Sequence, residues 1–140
     1  MTDVYVDVAA ASVEQGDGGG PPVLVADPES VRALRYLADS GIRVVVVAAA
    51  GTEPDGELEA VAAEVVGALP PRPRGPSWYL TSDIARCQGA SAFLRTVLIG
   101  ATPPSGSVRR CDAVARDVQA AAMEILAAVA MPPGASPDAA

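Results

Sequence analysis

Residues Asp27 to Val47 read DPESVRALRYLADSGIRVVVV, and more of the fold can be inferred here than anywhere else in the chain. The first half is patterned as a helix. Asp27 can accept backbone N–H groups as an N-cap, and Pro28 suits the first helical position, where no N–H is needed. Val31, Leu34 and Leu37, with Ala38, recur every three or four residues and so share one helical face. Ser40-Gly41 closes the element, glycine being the residue that tolerates the left-handed turn of a helix end. The second half, Ile42–Val47, is apolar at nearly every position. A strand with one wet face alternates, so an unbroken β-branched run predicts a strand covered on both faces.

The same reading extends in both directions. Val4–Val8, Trp78–Thr81 and Thr96–Ile99 are further β-branched runs, and helical patterns fall between or after them. Asp55–Leu69 carries Leu58, Val61, Ala62, Val65 and Val66 and stops at Pro70-Pro71. Ile84–Phe93 predicts a short helix. Asp112–Ala130 predicts the longest one, with Val114, Val118, Ala121, Ala122, Ile125, Leu126 and Val129 on its apolar face. Buried strands alternating with helices predict a three-layer α/β/α sandwich around a small, parallel, Rossmann-like sheet of about four strands. Residues 1–131 are expected to form this one domain and 132–140 a disordered tail. In such folds ligands sit at the carboxyl ends of strands, which here means Asp7–Ser12, Ala48–Thr52, Ser82–Cys87 and Gly100–Ser107.

Composition limits the chemistry. Of the 140 residues half are hydrophobic but only 4% aromatic, so the core is built from Ala, Val and Leu. All ten basic residues are arginine, with no lysine and no histidine. An imidazole base, a His-ligated metal, a Schiff-base amine and a Ser-His-Asp triad are therefore excluded. The net charge of −7 opposes nonspecific binding to nucleic acid or to anionic lipid. Cys87 and Cys111 lack metal-ligand spacing and are expected to be two reduced, buried thiols. The opening residues do not read as a secretory leader, and the apolar run Val118–Met131 is shorter than the roughly 20 residues of a membrane span. A cytoplasmic protein without a membrane segment is the expectation.

The four strand ends also carry a resemblance. VYVDVAAAS (Val4–Ser12) resembles the first motif of the haloacid dehalogenase (HAD) superfamily, a strand ending in Asp-x-Asp-Gly-Thr. Val31–Gly51 is similar to that family's helix, Gly turn and second strand. WYLTSDIARCQGASAFLRTVLIG (Trp78–Gly100) resembles its last motif, a strand with Gly-Asp followed by a helix and another strand. The resemblance spans about residues 3–130. It implies the strand order fourth, third, first, second and, since the segment from Ser12 to Asp27 is short, no cap domain.

For the site it implies that Asp7 stands at the position of the nucleophile, which in this family attacks phosphorus and forms an aspartyl-phosphate. Ala9 replaces the acid/base residue, and Ala10 and Ala11 replace the Gly and Thr that follow. Ala48 takes the place of the phosphate-binding hydroxyl, with Thr52 four residues on. The phosphate-binding lysine has no counterpart, and Arg72 or Arg74 lies in about its region. Asp83 matches the acid of Gly-Asp, which with Asp7 makes a pair of magnesium ligands; Cys87 falls where a further carboxylate often sits.

Each of these residues also has a plainer role. Asp7 and Asp83 can serve as caps for backbone N–H groups instead of a nucleophile or metal ligands. The GDGGG run (Gly16–Gly20) lacks the Lys and Ser/Thr of a phosphate loop and reads as a loop where a flap would be inserted. Arg72-Pro73-Arg74 reads as a linker and Arg109-Arg110 as surface charge. A receiver-like domain is disfavoured because it needs an acid cluster at the first strand and a Lys at the last. The expected function is therefore that of a catalytically degenerate HAD-like domain binding a protein partner, a second copy of itself or a small ligand. The alternative is a magnesium-dependent phosphohydrolase using Asp7.

Overall fold

The computed structural model describes residues 2–15, 23–48, 54–70, 72–73, 75–90, 93–100 and 111–130. The Gly16–Gly20 run, Thr52, Arg74, Arg109-Arg110 and the tail 132–140 lie outside the described residues. The expected central strands form as β1 (Asp3–Asp7), β4 (Arg43–Val47), β6 (Ser77–Thr81) and β7 (Leu94–Ile99). Between β1 and α1 (Pro28–Asp39) the chain makes a 3-10 turn, Val8–Ala11, and a hairpin of β2 (Ser12–Gln15) with β3 (Val23–Ala26). The helices α2 (Gly56–Val61), α3 (Ile84–Gly89) and α4 (Val118–Ala130), with β5 (Glu64–Val66) and β8 (Ala113–Ala115), complete the order.

The main sheet is parallel throughout, in the order β5-β4-β1-β6-β7-β8. Its four inner strands follow the expected sequence, but the sheet has six strands instead of about four. Both extra strands are edge strands of three residues, and both replace parts of expected helices. The helix expected over Asp55–Leu69 ends at Val61, because Ala62 turns extended (φ −78°, ψ 136°) and the next residues pair with Val45–Val47. The helix expected over Asp112–Ala130 begins six residues late. Asp117 accepts from Ala120 N at 2.7 Å and so caps a start at Val118, while Ala113–Ala115 pairs with β7. α3 is likewise shorter than Ile84–Phe93.

Inward-facing residues alternate along each strand and give the sheet two unequal covers. Val4, Val6, Val44, Val46, Trp78, Leu80, Val97 and Ile99 face α1, α2 and α4 through Leu34, Leu37, Leu58, Ala121 and Ile125. Tyr5, Val45, Val47 and Tyr79 face the other way, under Val66, Leu69 and Ala90, and Leu98 packs on α3 through Ile84 and Cys87. This is what right-handed crossovers require once the chain leaves β1 in one direction and returns to β6 on its other side. Gly41, at φ +88°, makes the turn that delivers Ile42 N to Leu37 O at 3.1 Å and starts β4.

Cys87 and Cys111 are joined in a disulfide (Cα–Cα 5.7 Å), not left as two thiols. The bond ties α3 to the approach of β8. It was not foreseeable from spacing, since 24 residues separate the two and only the β6–α3–β7–β8 arrangement brings them together.

Candidate functional site at the carboxyl end of the central strands

The strand order reverses at β1, whose neighbours β4 and β6 come from opposite directions of winding. The crevice beyond its carboxyl end is where such sheets bind ligands, and Asp7 is the last residue of β1. Asp7 is only 6% exposed, a carboxylate among apolar strands. Burial of a charge is tolerable only with strong partners. Asp7 has three.

Tyr79 Oη donates to Asp7 Oδ2 at 2.7 Å and Thr81 Oγ1 donates to the same oxygen at 2.6 Å. Both come from β6, two residues apart and therefore on one face of the strand. The third partner is Arg86 of α3. Its Nε lies 3.0 Å from Oδ2 and its Nη2 donates to Oδ1 at 3.3 Å. Arg86 Nε also donates to Tyr79 Oη at 2.8 Å, so the phenol both receives from the guanidinium and donates to the carboxylate. Burial pushes the Tyr79 phenol up to about 12, with its bond to Asp7 adding to the effect and Arg86 opposing it. The hydrogen bond to Tyr79, followed by the charge of Asp7, raises Arg86 further above its ordinary value. The group is thus a neutral phenol and a permanent cation closed over a carboxylate.

Asp83 sits one hydrogen bond away from this cluster. Its backbone N–H donates to Thr81 Oγ1 at 3.1 Å, and its Oδ1 accepts from Ala85 N at 2.9 Å as the N-cap of α3. Asp7 and Asp83 therefore stand at neighbouring strand ends linked through Thr81. Ala48 follows Val47, the register partner of Asp7. Its methyl offers nothing to a phosphate, and its N–H is taken by Val66 O at 2.8 Å. Arg72 is elsewhere. Its guanidinium lies 5.9 Å from the ring centre of Phe93, which precedes β7 at the amino end of the sheet. Thr52 and Arg74 are not among the described residues.

A magnesium ion needs several oxygen ligands in near-octahedral array. Here both oxygens of Asp7 are engaged, one of the Asp83 oxygens caps a helix, and a guanidinium lies against Asp7. Among the described residues no group of three or more His, Cys, Asp or Glu could hold a metal. The donor set does not fit magnesium in this conformation; the local cation is Arg86.

Tyr79, Thr81 and Arg86 are the residues around Asp7 that the sequence pattern did not single out. Tyr79 and Thr81 did leave a trace, as two polar-tipped residues at i and i+2 in a buried strand. Arg86 left none, since its role depends on where α3 lands.

The fold of this chain, with a buried Asp ending the first strand and a hairpin following a short 3-10 turn, is that of the HAD-family phosphatases. Two solved relatives by fold are D,D-heptose 1,7-bisphosphate phosphatases. The one from Burkholderia thailandensis has a TM-score of 0.61 at 18% identity, over 90% of this chain and 99% of that one. The B. bronchiseptica enzyme, determined with magnesium and phosphate, has a TM-score of 0.59 at 14% identity, over 91% and 99%. An HAD family hydrolase from Streptomyces avermitilis follows at 0.54 and 14%, over 85% and 86%. No protein-family model matches the sequence, and no curated protein matches it.

Proposed function

We propose that this chain is a catalytically silent HAD-fold domain that works by binding a protein partner or a small ligand, not by turning over phosphate esters. One observation carries the reading: Arg86 closes an ion pair on both oxygens of Asp7, the nucleophile position. An attacking carboxylate needs an exposed lone pair and a negative charge that bonding to phosphorus can spread. Asp7 Oδ2 already receives from Tyr79 and Thr81 as well as Arg86.

The other parts of the phosphatase mechanism point the same way. Ala9 cannot protonate a leaving oxygen, Ala48 cannot hold a phosphoryl oxygen, and the chain contains no lysine. Each lost preorganised contact commonly removes about 3–4 kcal/mol of transition-state stabilisation. Two or three such losses remove about 6–12 kcal/mol together, a factor of roughly 10⁴–10⁹ in rate. Two of the solved relatives are heptose bisphosphate phosphatases, and a phosphorylated small molecule is for that reason the first ligand class to try, bound without hydrolysis.

The test is hydrolysis of p-nitrophenyl phosphate with magnesium, comparing the wild type with Asp7→Asn. The reading expects both proteins at the buffer rate. Magnesium-dependent turnover that Asp7→Asn abolishes would establish the alternative, a phosphohydrolase using Asp7 as nucleophile, and remove this one.

A further inference from the structure

Helix α3 has six residues, Ile84–Gly89, well short of the roughly 12–15 at which an isolated helix is even marginally stable in water. Its seat on the sheet therefore depends on what fastens it. At its start Asp83 caps Ala85 N. Beneath it Ile84 and Cys87 pack on Leu98 of β7. On its flank Arg86 reaches the Asp7 carboxylate. The remaining fastening is covalent, the Cys87–Cys111 disulfide. The far end of that bond is fixed to the sheet. Asp112, the residue after Cys111, donates its N–H to Thr96 Oγ1 at 3.0 Å and accepts from Thr96 N at 2.8 Å, which pins it to β7. The bond thus hangs a short helix from an inner strand, and it is attached at the residue directly after Arg86.

We propose that the Cys87–Cys111 disulfide is a redox latch on the Asp7 site: oxidised, it holds α3 where Arg86 seats on Asp7; reduced by a dithiol, it lets α3 shift and Arg86 leave the carboxylate. The inference deepens the function proposed above and rests on its Arg86–Asp7 pair. Arg86 and Cys87 are consecutive, so tying Cys87 also fixes the backbone that carries Arg86. Without the tie, one cap and the partly buried Ile84 are left to hold the helix against the pull of solvent on Arg86. Release leaves neither charge stranded. The Arg86 side chain is already 38% exposed, so water can take it up, and Tyr79 and Thr81 stay on Asp7. The chemistry needs a two-electron reductant, here a dithiol. One of its thiolates bonds to Sγ of Cys111, the less buried of the two cysteines, and Cys87 departs as a thiolate and takes up a proton. The second thiolate then attacks the reductant's own sulfur in the mixed disulfide and releases Cys111, which takes up a proton. The protein gains two electrons and two protons, and the dithiol becomes a disulfide. Such bonds persist in oxidising surroundings and are lost in reducing ones, so the state of the latch follows its surroundings.

Heteronuclear NMR of the isotope-labelled full chain tests this, following backbone amides and arginine Nε–H groups before and after dithiothreitol, with thiol titration to count the cysteines released. Arg86→Ala identifies the Arg86 signal. In the oxidised protein that signal is expected apart from the solvent-exposed arginines. Reduction is expected to move it among them and to quicken its exchange with water by about tenfold or more. The α3 amides should shift with it, while those of β1 and β4 keep their positions. Cys111→Ser and Cys87→Ala are expected to show the reduced pattern without dithiothreitol and no change with it. An Arg86 signal that is paired in the oxidised protein and stays so after reduction overturns this proposal alone. One that is already unpaired in the oxidised protein overturns the pair and this inference with it. Dithiothreitol that releases no thiols from the folded chain, or that sends every signal to unfolded positions, also overturns the latch, because the bond is then a staple of the whole fold.

Discussion

Arg86→Ala is the most informative single substitution. It removes the contacts of Nε at 3.0 Å and Nη2 at 3.3 Å to Asp7, together with the bond to Tyr79 Oη at 2.8 Å. Breaking a fully buried ion pair costs about 3–5 kcal/mol, because the remaining charge is left without compensation. A fully exposed pair contributes about 0–1 kcal/mol. This pair is intermediate: the Asp7 side chain is 8% exposed and that of Arg86 38%. Tyr79 and Thr81 also continue to donate to Asp7 after the change. The expected loss is therefore about 2 kcal/mol, which for a chain of this length lowers Tm by about 4–8 °C. Urea unfolding followed by circular dichroism measures it, and a cycle with Asp7→Asn isolates the pair term, expected at about 1–2 kcal/mol. Stability within about 0.5 kcal/mol of wild type, or a cycle without coupling, would refute the claim that Arg86 holds the carboxylate.

Other expectations concern the groups around that pair and the joints of the fold. The folded Tyr79 phenol lies near 12 instead of 10, so its contribution to stability is complete below pH 10 and is lost as pH rises toward 12. Unfolding curves across that range should fall for the wild type and less steeply for Tyr79→Phe. Asp55 accepts from Glu57 N and, more weakly, from Ala26 N, bonds that hold its carboxyl below the usual value and tie β3 to α2. Asp55→Ala should lower stability at neutral pH. The wild type should lose that contribution as pH falls below about 4, and the variant, lacking it, should not. The Cys87–Cys111 bond closes a loop spanning 24 residues, for which the chain-entropy model gives about 3 kcal/mol. Adding dithiothreitol should lower the urea midpoint accordingly, and Cys111→Ser should remove the response.

The parts of the fold legible in the sequence were those fixed by local pattern. Val44–Val47 cannot be a half-exposed strand, and Asp27-Pro28 followed by Val31, Leu34 and Leu37 encodes α1 without help from distant residues. The two edge strands were not legible. Glu64–Val66 and Ala113–Ala115 are three residues each, follow or precede helical patterning, and become strands only because β4 and β7 offer free edges. Asp117 was a cap signal in plain view, overridden by the continuous apolar spacing from Val114 onward.

The site divides in the same way. Asp7 was recognisable as a lone acid ending an apolar strand, and Asp83 as an acid before a helix. What the sequence could not reveal is that Asp7 is internally paired. That depends on the register of β1 with β6, where Val6 opposite Leu80 brings Thr81 level with Asp7, and on the landing of α3 beside both. Register and helix placement are tertiary outcomes, so the three residues that bond the Asp7 carboxylate come together only in the folded chain.

The state of Asp7 decides between a silent domain and a phosphatase. Crystals grown with magnesium and fluoroberyllate, a mimic of the aspartyl-phosphate, examine it directly. The expected density shows Arg86 still seated on both Asp7 oxygens and no beryllium adduct. A fluoroberyllate bonded to Asp7, with magnesium bridging to Asp83 and Arg86 swung away, would contradict it and identify a working phosphatase site.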